Sequence, residues 1–193
     1  MTMLVPADKV FFTADTHYFH KNINKIMNRP FKDMEEMIET MIRLWNAVVP
    51  KDGIVFHLGD VSFGKADETL GVLGQLNGNI HLIRGNHDKD MKGAVKQYFS
   101  SIHDYLEIKV VEVGGTTQGI SLMHYAMRVW NKSHYGTWQL HGHSHGSMPP
   151  IGRQLDVGVD CCGYKTISYY DIKKYIQTVA IINNDHHRNK DEN

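Results

Sequence analysis

Three short apolar runs, each emptying into a polar cluster, constrain this chain more than any other feature. Val10-Phe11-Phe12, within residues 9–14, runs into Asp15-Thr16-His17. Residues 53–58 (Gly-Ile-Val-Phe-His-Leu) deliver Gly59-Asp60, and residues 79–83 deliver Arg84-Gly85-Asn86-His87-Asp88. Apolar runs of this length bounded by turn residues read as buried strands, and His57 inside the second is read as an ordinary strand residue. Helical patterns separate them. Asp33 caps a helix with Glu36 three residues on, and Met34, Met37, Ile38, Met41, Ile42 and Trp45 recur at helical spacing until Pro50. That stripe is core packing rather than a cofactor site. Residues 66–76 form a second amphipathic helix closed by Asn77-Gly78. Strand, helix, strand, helix, strand means parallel βαβ units, and in such sheets ligands bind beyond the carboxyl ends of the strands.

The second half is less helical. Residues 105–113 alternate, Gly114-Gly115 turns, and residues 119–123 return as a strand ending at His124. Residues 139–141 and 155–159 add short strands. Ser168, with Asp171 three residues later, starts a helix through Ile176, and residues 179–182 read as a last strand. Residues 183–193 are polar and expected to be a loose tail. No repeat or linker interrupts the chain, so residues 1–182 are expected to form one domain.

The run Leu140-His141-Gly142-His143-Ser144-His145-Gly146 carries imidazoles at every second position. Neutral imidazole is the commonest protein metal ligand, and alternate residues near a strand end point the same way. By itself the run is equally a local structural zinc site at residues 141–145, a reading that leaves Asp15, Asp60 and Asn86 without a role. Acidic and basic residues number 21 each, for a net charge of zero. No global field favours polymeric nucleic acid, and any anion needs a local source of positive charge. Cys161 and Cys162 are adjacent, poor spacing for a structural bridge and not a C-x-x-C motif, so a reducing cytoplasm is expected. No secretory start and no apolar run approaching about 18 residues is present, so no membrane association is expected. Nothing in the sequence fixes an oligomeric state.

Asp15-x-His17, Gly59-Asp60, Gly85-Asn86-His87-Asp88, the lone His124 and Gly142-His143-x-His145 follow one another in the order and spacing of a known family. The chain resembles the calcineurin-like metallophosphoesterases, whose signature is D-x-H, G-D, G-N-H-D/E, a lone His and G-H-x-H. Asp-Thr-His-Tyr-Phe-His-Lys-Asn, Asn-Arg-Pro-Phe, His-Tyr-Ala-Met-Arg-Val-Trp and Leu-Asp-Val-Gly-Val-Asp further resemble a small single-domain bacterial and phage branch. The resemblance implies an α/β fold, a β-sandwich of two mixed sheets flanked by helices on both outer faces. It also implies two divalent ions: one held by Asp15, His17 and His145, the other by Asn86, His124 and His143, with Asp60 bridging. This mix of carboxylate, imidazole and amide oxygen suits Mn²⁺, Fe, Zn²⁺, Ni²⁺ or Co²⁺ rather than Ca²⁺ or a thiolate site. Mn²⁺ is the ion expected to work in an assay.

Two divalent ions bring four positive charges, of which Asp15, Asp60 and a bridging hydroxide cancel three. The result is a positive pocket in a neutral protein. Such a pair activates one water for in-line attack on phosphorus, so the chain is expected to hydrolyse phosphate esters, with small nucleotide-type diesters preferred over monoesters. The family role of His87 is to give a hydrogen bond or proton to the leaving oxygen. Asp88 either orients His87 or caps the segment that follows. His20, Arg128 and Arg84 are candidates to meet the substrate's phosphate. Trp130, Tyr135 and Trp138 read either as a lid on which a base stacks or as packing. The competing readings are a broad phosphomonoesterase and a catalytically silent scaffold of the same fold.

Overall fold

The computed structural model describes residues 2–88 and 93–182, so the expected tail at 183–193 lies outside the described residues. In chain order the elements are β1 (Met3–Pro6), β2 (Val10–Thr13), α1 (Ile23–Ile26), α2 (Met34–Val48), β3 (Ile54–His57), α3 (Ala66–Leu73), β4 (Asn79–Ile83), α4 (Gly93–Tyr98), β5 (Ser101–His103), β6 (Tyr105–Val111), β7 (Thr117–Met123), a 3-10 turn (Ser133–Tyr135), β8 (Trp138–His141), β9 (Gln154–Asp156), β10 (Ile167–Ser168) and α5 (Tyr169–Ile176). No described helix is long and apolar enough to cross a membrane.

Two mixed five-stranded sheets face each other. One runs β10-β2-β3-β4-β5 and the other β1-β6-β7-β8-β9. In the first, β2, β3, β4 and β5 are parallel, as the alternation of strands and helices requires, and β10 closes the edge antiparallel to β2. In the second, β6 and β7 form the antiparallel hairpin that the Gly114-Gly115 turn calls for, while β7, β8 and β9 are parallel. Phe12, Phe56, Leu58, Ile83, Ile108, Val110, Ile120, Leu122, Trp138 and Leu140 fill the space between the sheets. Tyr169, Ile172 and Ile176 of α5 join them, with Tyr169 stacked on Trp138 at 5.2 Å.

The opposite face of the parallel sheet is apolar too, because helices cover it. Asp33 caps α2 by accepting from Glu36 N at 2.9 Å, and Glu36 reaches back to Lys32 N at 2.6 Å. One stripe of α2 then buries Met37, Met41 and Trp45 against Phe11, Val55, Ile80 and Leu82. At about 1.5–3 kcal/mol for each large side chain, that contact alone matches much of a typical domain's net stability. The fourth layer is slighter. On β8, Gln139 and His141 are buried on the outer face, where Gln139 accepts from Met127 N and from Gln154 Nε2 and donates to Tyr125 O.

Residues 179–182 are not a strand. Val179 N bonds Ile176 O as the helix unwinds, and its carbonyl accepts from Arg153 Nε. Ile181 and Ile182 lie over Gly136 and Gly152 instead of pairing along a sheet edge. The strand expected at 155–159 pairs only as far as Asp156. Val157 N then bonds His141 O in one sheet and Val159 N bonds Ala14 O in the other, so this segment stitches the two sheets together.

His57, 2% exposed, sits at the end of β3 with Nε2 3.0 Å from Thr16 Oγ1, and burial, then the charge of His124, lowers its pKa to about 3. Below pH 6.5 the unfolded chain gains a proton there that the folded chain refuses, so this group's stability is complete above pH 6.5 and lost as pH falls. In urea titrations with chelator present, His57→Leu is expected to reduce the loss of unfolding free energy between pH 6.5 and 5.0 by about 1.5 kcal/mol. Parallel pH slopes for the two proteins would contradict it.

Candidate metal centre

The registers of the two sheets bring their strand ends to one edge. Thr13, His57 and Leu82 are level across β2, β3 and β4, and Leu122 is level with Leu140 across β7 and β8. The loops beyond are tied together: Asp15 N to Gly59 O at 2.9 Å, His17 N to Asp60 O at 3.0 Å and Gly142 N to His124 O at 3.0 Å. Asp15, His17, Asp60, His143 and His145 all adopt positive φ, between 46° and 65°. Side chains other than glycine rarely tolerate that region, and each such residue persists only where its surroundings fix it. Two glycines explain part of the fixing. A Cβ on Gly85 would collide with Asp60 Oδ1, and one on Gly142 would come within 2.5 Å of Asp15 Oδ2.

Two groups of donors result. Asp15, His17 and His145 form one, and Asp60, His124 and His143 the other, with the potential ligand atoms of each group within 4.8 Å of one another. Asp60 Oδ2 lies between them, 3.6 Å from His17 Nε2 and 3.6 Å from His124 Nε2. Asn86 joins the second group with Oδ1 3.1 Å from His124 Nε2. The residues fit divalent cations on three counts. Asp15 Oδ1 and both ring nitrogens of His17 are buried with no hydrogen-bond partner among the described residues, a costly arrangement unless a cation compensates it. His124 donates Nδ1–H to Leu58 O at 2.7 Å, which turns the lone pair of Nε2 toward the oxygens of Asn86 and Asp60. His145 likewise engages Asp160 through Nδ1 at 2.6 Å, leaving Nε2 free. His141 belongs to neither group and points its Nδ1 at Gly142 O, and no three-histidine group forms at residues 141–145 among the described residues.

Burial pushes the Asp15 carboxyl well above the usual carboxylate range, and burial followed by the charge of His145 lowers the His17 imidazole to about 2. A neutral imidazole is ready to coordinate, and a carboxylate short of counter-charge gains most from a cation nearby. At His145 burial works downward, but the hydrogen bond and charge of Asp160, with Asp15, carry the pKa up.

His87 stands at the open side. Its N–H donates to Asp60 Oδ1 at 3.0 Å, its ring packs on Phe63 with centroids 4.6 Å apart, and Nε2 lies 4.0 Å from Asp60 Oδ2. His20 is beside it, edge-on to Phe63 at 4.4 Å and to His17 at 5.8 Å. Asp88 is tied elsewhere than to the His87 ring, and the segment it would cap begins at 89–92, outside the described residues. Its carboxylate is buried and accepts from Asp60 N, Val61 N and Gly85 N at 2.7, 3.0 and 2.8 Å, and no hydrogen bond joins it to the His87 ring among the described residues. It therefore fastens the Asp60 loop to the Asn86 loop. Arg84 forks onto Asp104 through Nε and Nη2 at 2.8 and 2.6 Å, so its bidentate face is turned to that carboxylate. Arg128 is exposed after β7 and makes no hydrogen bond or ion pair among the described residues. Trp138 is core, Trp130 is buried with Nε1 on Thr137 O, and Tyr135 is exposed on the 3-10 turn, so packing accounts for the two tryptophans.

Sequence reasoning passed over four residues here. Phe63 packs on His17, His20 and His87, and Tyr125 packs on His124 and His143, at the two sides of the centre. As lone aromatics in loops they give no sequence signal. Arg29 and Asp160 form a buried fork-to-carboxylate pair behind His145. Both lie in segments that the sequence marks, Asn-Arg-Pro-Phe and Leu-Asp-Val-Gly-Val-Asp, though without a role attached.

Residues 8–154 match the family model described as calcineurin-like phosphoesterase. An uncharacterised protein of Methanocaldococcus jannaschii is 34% identical over 183 residues, covering 90% of this chain and 94% of its own. The gene 66 protein of Mycobacterium phage L5 is 30% identical over 182 residues, covering 79% and 87%. Among solved structures, a protein of unknown function from Aquifex aeolicus superposes with a TM-score of 0.67 at 26% identity, covering 86% of this chain and 98% of that one.

Asp88→Ala leaves three buried amides without an acceptor and is expected to cost at least about 3 kcal/mol. His87→Ala, at a half-exposed ring, is expected to stay within about 1 kcal/mol of wild type. Urea denaturation of both variants checks this. Equal stability would mean that Asp88 does not carry the loop.

Proposed function

The chain belongs to the calcineurin-like phosphoesterase family, and from that premise we propose that it is a binuclear metal-dependent phosphodiesterase acting on small, nucleotide-type esters. Family membership and the candidate ligand groups make it a metal-dependent phosphoesterase in general terms. The observation that carries the finer reading is the place of Asp60 Oδ2, equally far from one imidazole of each donor group. Asp15, His17 and His145 would hold one cation and Asn86, His124 and His143 the other, with Asp60 shared. Two divalent ions held there would supply Lewis acidity toward water and toward the charge of a phosphoryl group. Mn²⁺ suits the donor set, as do Fe, Zn²⁺, Ni²⁺ and Co²⁺.

The chain's own residues do the rest. Asp88 and the Gly85 approach keep the Asp60 carboxylate from turning. His87, anchored through its backbone and resting on Phe63, offers its exposed ring edge to a leaving oxygen as hydrogen-bond or proton donor. His20 and Arg128 are the candidates to meet phosphate oxygens. A cleft of about 390 Å³ opens beside Asn86 and His124, lined also by Arg84, Asp104, Met123 and Tyr125. On the other side stand Phe63 and His20. The open cleft on the first side admits an ester substituent beyond the phosphate, which favours a diester, and the exposed Tyr125 there offers a base a face to stack on. The net charge of zero favours small substrates over polymers. The adjacent free thiols of Cys161 and Cys162 agree with a reducing cytoplasm.

Hydrolysis of bis-nitrophenyl phosphate, nitrophenyl phosphate and cyclic nucleotides is to be measured with Mn²⁺ and with chelator. Turnover that depends on Mn²⁺ and is faster on the diesters is expected. Equal rates on monoesters would replace the diester reading with a broad phosphomonoesterase, and no turnover by protein carrying two ions would leave a scaffold. His87→Ala is expected to lower kcat about 100-fold or more on esters with poor leaving groups, and less on nitrophenyl esters, with metal content unchanged. Full turnover on poor leaving groups would remove His87 from the chemistry.

A further inference from the structure

Arg29 is 4% exposed and directs most of its guanidinium donors to one half of the centre, with one contact from Nη1 to Met37 Sδ of α2. Nε and Nη2 fork onto the two oxygens of Asp160, each at 2.8 Å. Nη2 also donates to Asp15 O at 2.8 Å, and Nη1 to Thr16 O at 3.0 Å. Asp160 in turn accepts from His145 Nδ1 at 2.6 Å. One side chain therefore reaches the backbone of Asp15 and of Thr16, and His145 through a single carboxylate. Asp15 and His145 are two members of one donor group, and Thr16 immediately precedes the third, His17. The other group rests mainly on different contacts, His124 on Leu58 O and Asp60 N on Asp88 Oδ2, and meets the first where His143 N–H donates to Asp15 Oδ2.

A buried ion pair is not needed for stability as such, since well-packed apolar side chains of similar volume often serve as well or better. What Arg29 and Asp160 do that apolar residues cannot is local. Asp160 fixes which nitrogen of His145 carries the proton and so presents Nε2 as the ligand atom. Arg29 pins the carbonyls of Asp15 and Thr16 in a segment where Asp15 and His17 both hold positive φ. We propose that Arg29 and Asp160 are positioning residues, a clamp that assembles Asp15, His17 and His145 into one of the two cation sites. The clamp rests on the binuclear reading above. It also gives a purpose to two sequence segments 131 positions apart that the signature motifs leave out.

The test is calorimetric titration of Mn²⁺ into chelator-stripped full-length protein, wild type beside Asp160→Asn and Arg29→Lys, with the Tm of each metal-free protein. Wild type is expected to show two classes of site, one ion each. Asp160→Asn, nearly isosteric, is expected to weaken one class about 10- to 100-fold while leaving the other in place. Arg29→Lys keeps the charge but loses the fork, and is expected to weaken the same class. Asp160→Glu, which restores the carboxylate, is expected to recover part of the affinity. Variants that bind both ions as wild type does would overturn the clamp and leave the proposed function standing. Equal weakening of both classes in step with a lower Tm would also overturn it, as a general structural effect. Wild type that binds no Mn²⁺ would overturn the clamp together with the binuclear reading. Should Arg29→Lys fail to fold, Asp160→Asn and Asp160→Glu decide the matter alone.

Discussion

The arrangement depends on where one carboxylate is held. Asp60 Oδ2 faces an imidazole from each donor group, while Oδ1 is tied down by the N–H of His87. A side chain that served two cations while free to rotate would give up the geometry in every other rotamer. Here rotation is closed off on several sides. Asp88 takes the amides of Asp60 and Val61, Gly85 lies against Oδ1 where any side chain would collide, and Thr16 and His57 brace the neighbouring loop. This explains why the Asp60 and Asn86 loops come as one unit. The Gly85-Asn86-His87-Asp88 run supplies a close approach, a ligand, an exposed imidazole and the carboxylate that fastens the other loop.

Backbone strain is the cost of that convergence. Five residues of the two donor groups sit at positive φ, each worth about 1–3 kcal/mol of local strain. Those conformations turn side chains inward from strands that would otherwise carry them onward. The scaffold that offsets the cost lies elsewhere: two apolar layers, one between the sheets and one beneath α2 and α3. The segment from Val157 to Val159, bonded to His141 on one side and Ala14 on the other, keeps both sheets in step behind the centre. Rigidity and strain are thus divided between different residues, as positioning of a functional site requires.

Much of this was legible in the sequence because the informative residues are local. β2, β3 and β4 are apolar runs, α2 has a cap and a regular stripe, and each signature residue follows a strand end within a few positions. What the sequence withheld depends on partners far along the chain. β1, β5 and β10 are too short to show a pattern and exist only through pairing with β6, β4 and β2. Residues 179–182 have a strand's composition but no sheet edge to join. Asp88 reads as a companion of its neighbour His87, whereas its hydrogen bonds run to Asp60 and Val61, 28 and 27 positions away. Arg29 and Asp160 were likewise invisible as a pair. Phe63 and Tyr125 acquire meaning only from the imidazoles they rest on.

The central claim is that separate loops cage two cations about a shared carboxylate. Anomalous diffraction from crystals grown with Mn²⁺ tests it most directly. The account predicts two peaks, one among Asp15, His17 and His145 and one among Asn86, His124 and His143, with Asp60 touching both. No peak, or a single peak that excludes Asp60, would contradict it.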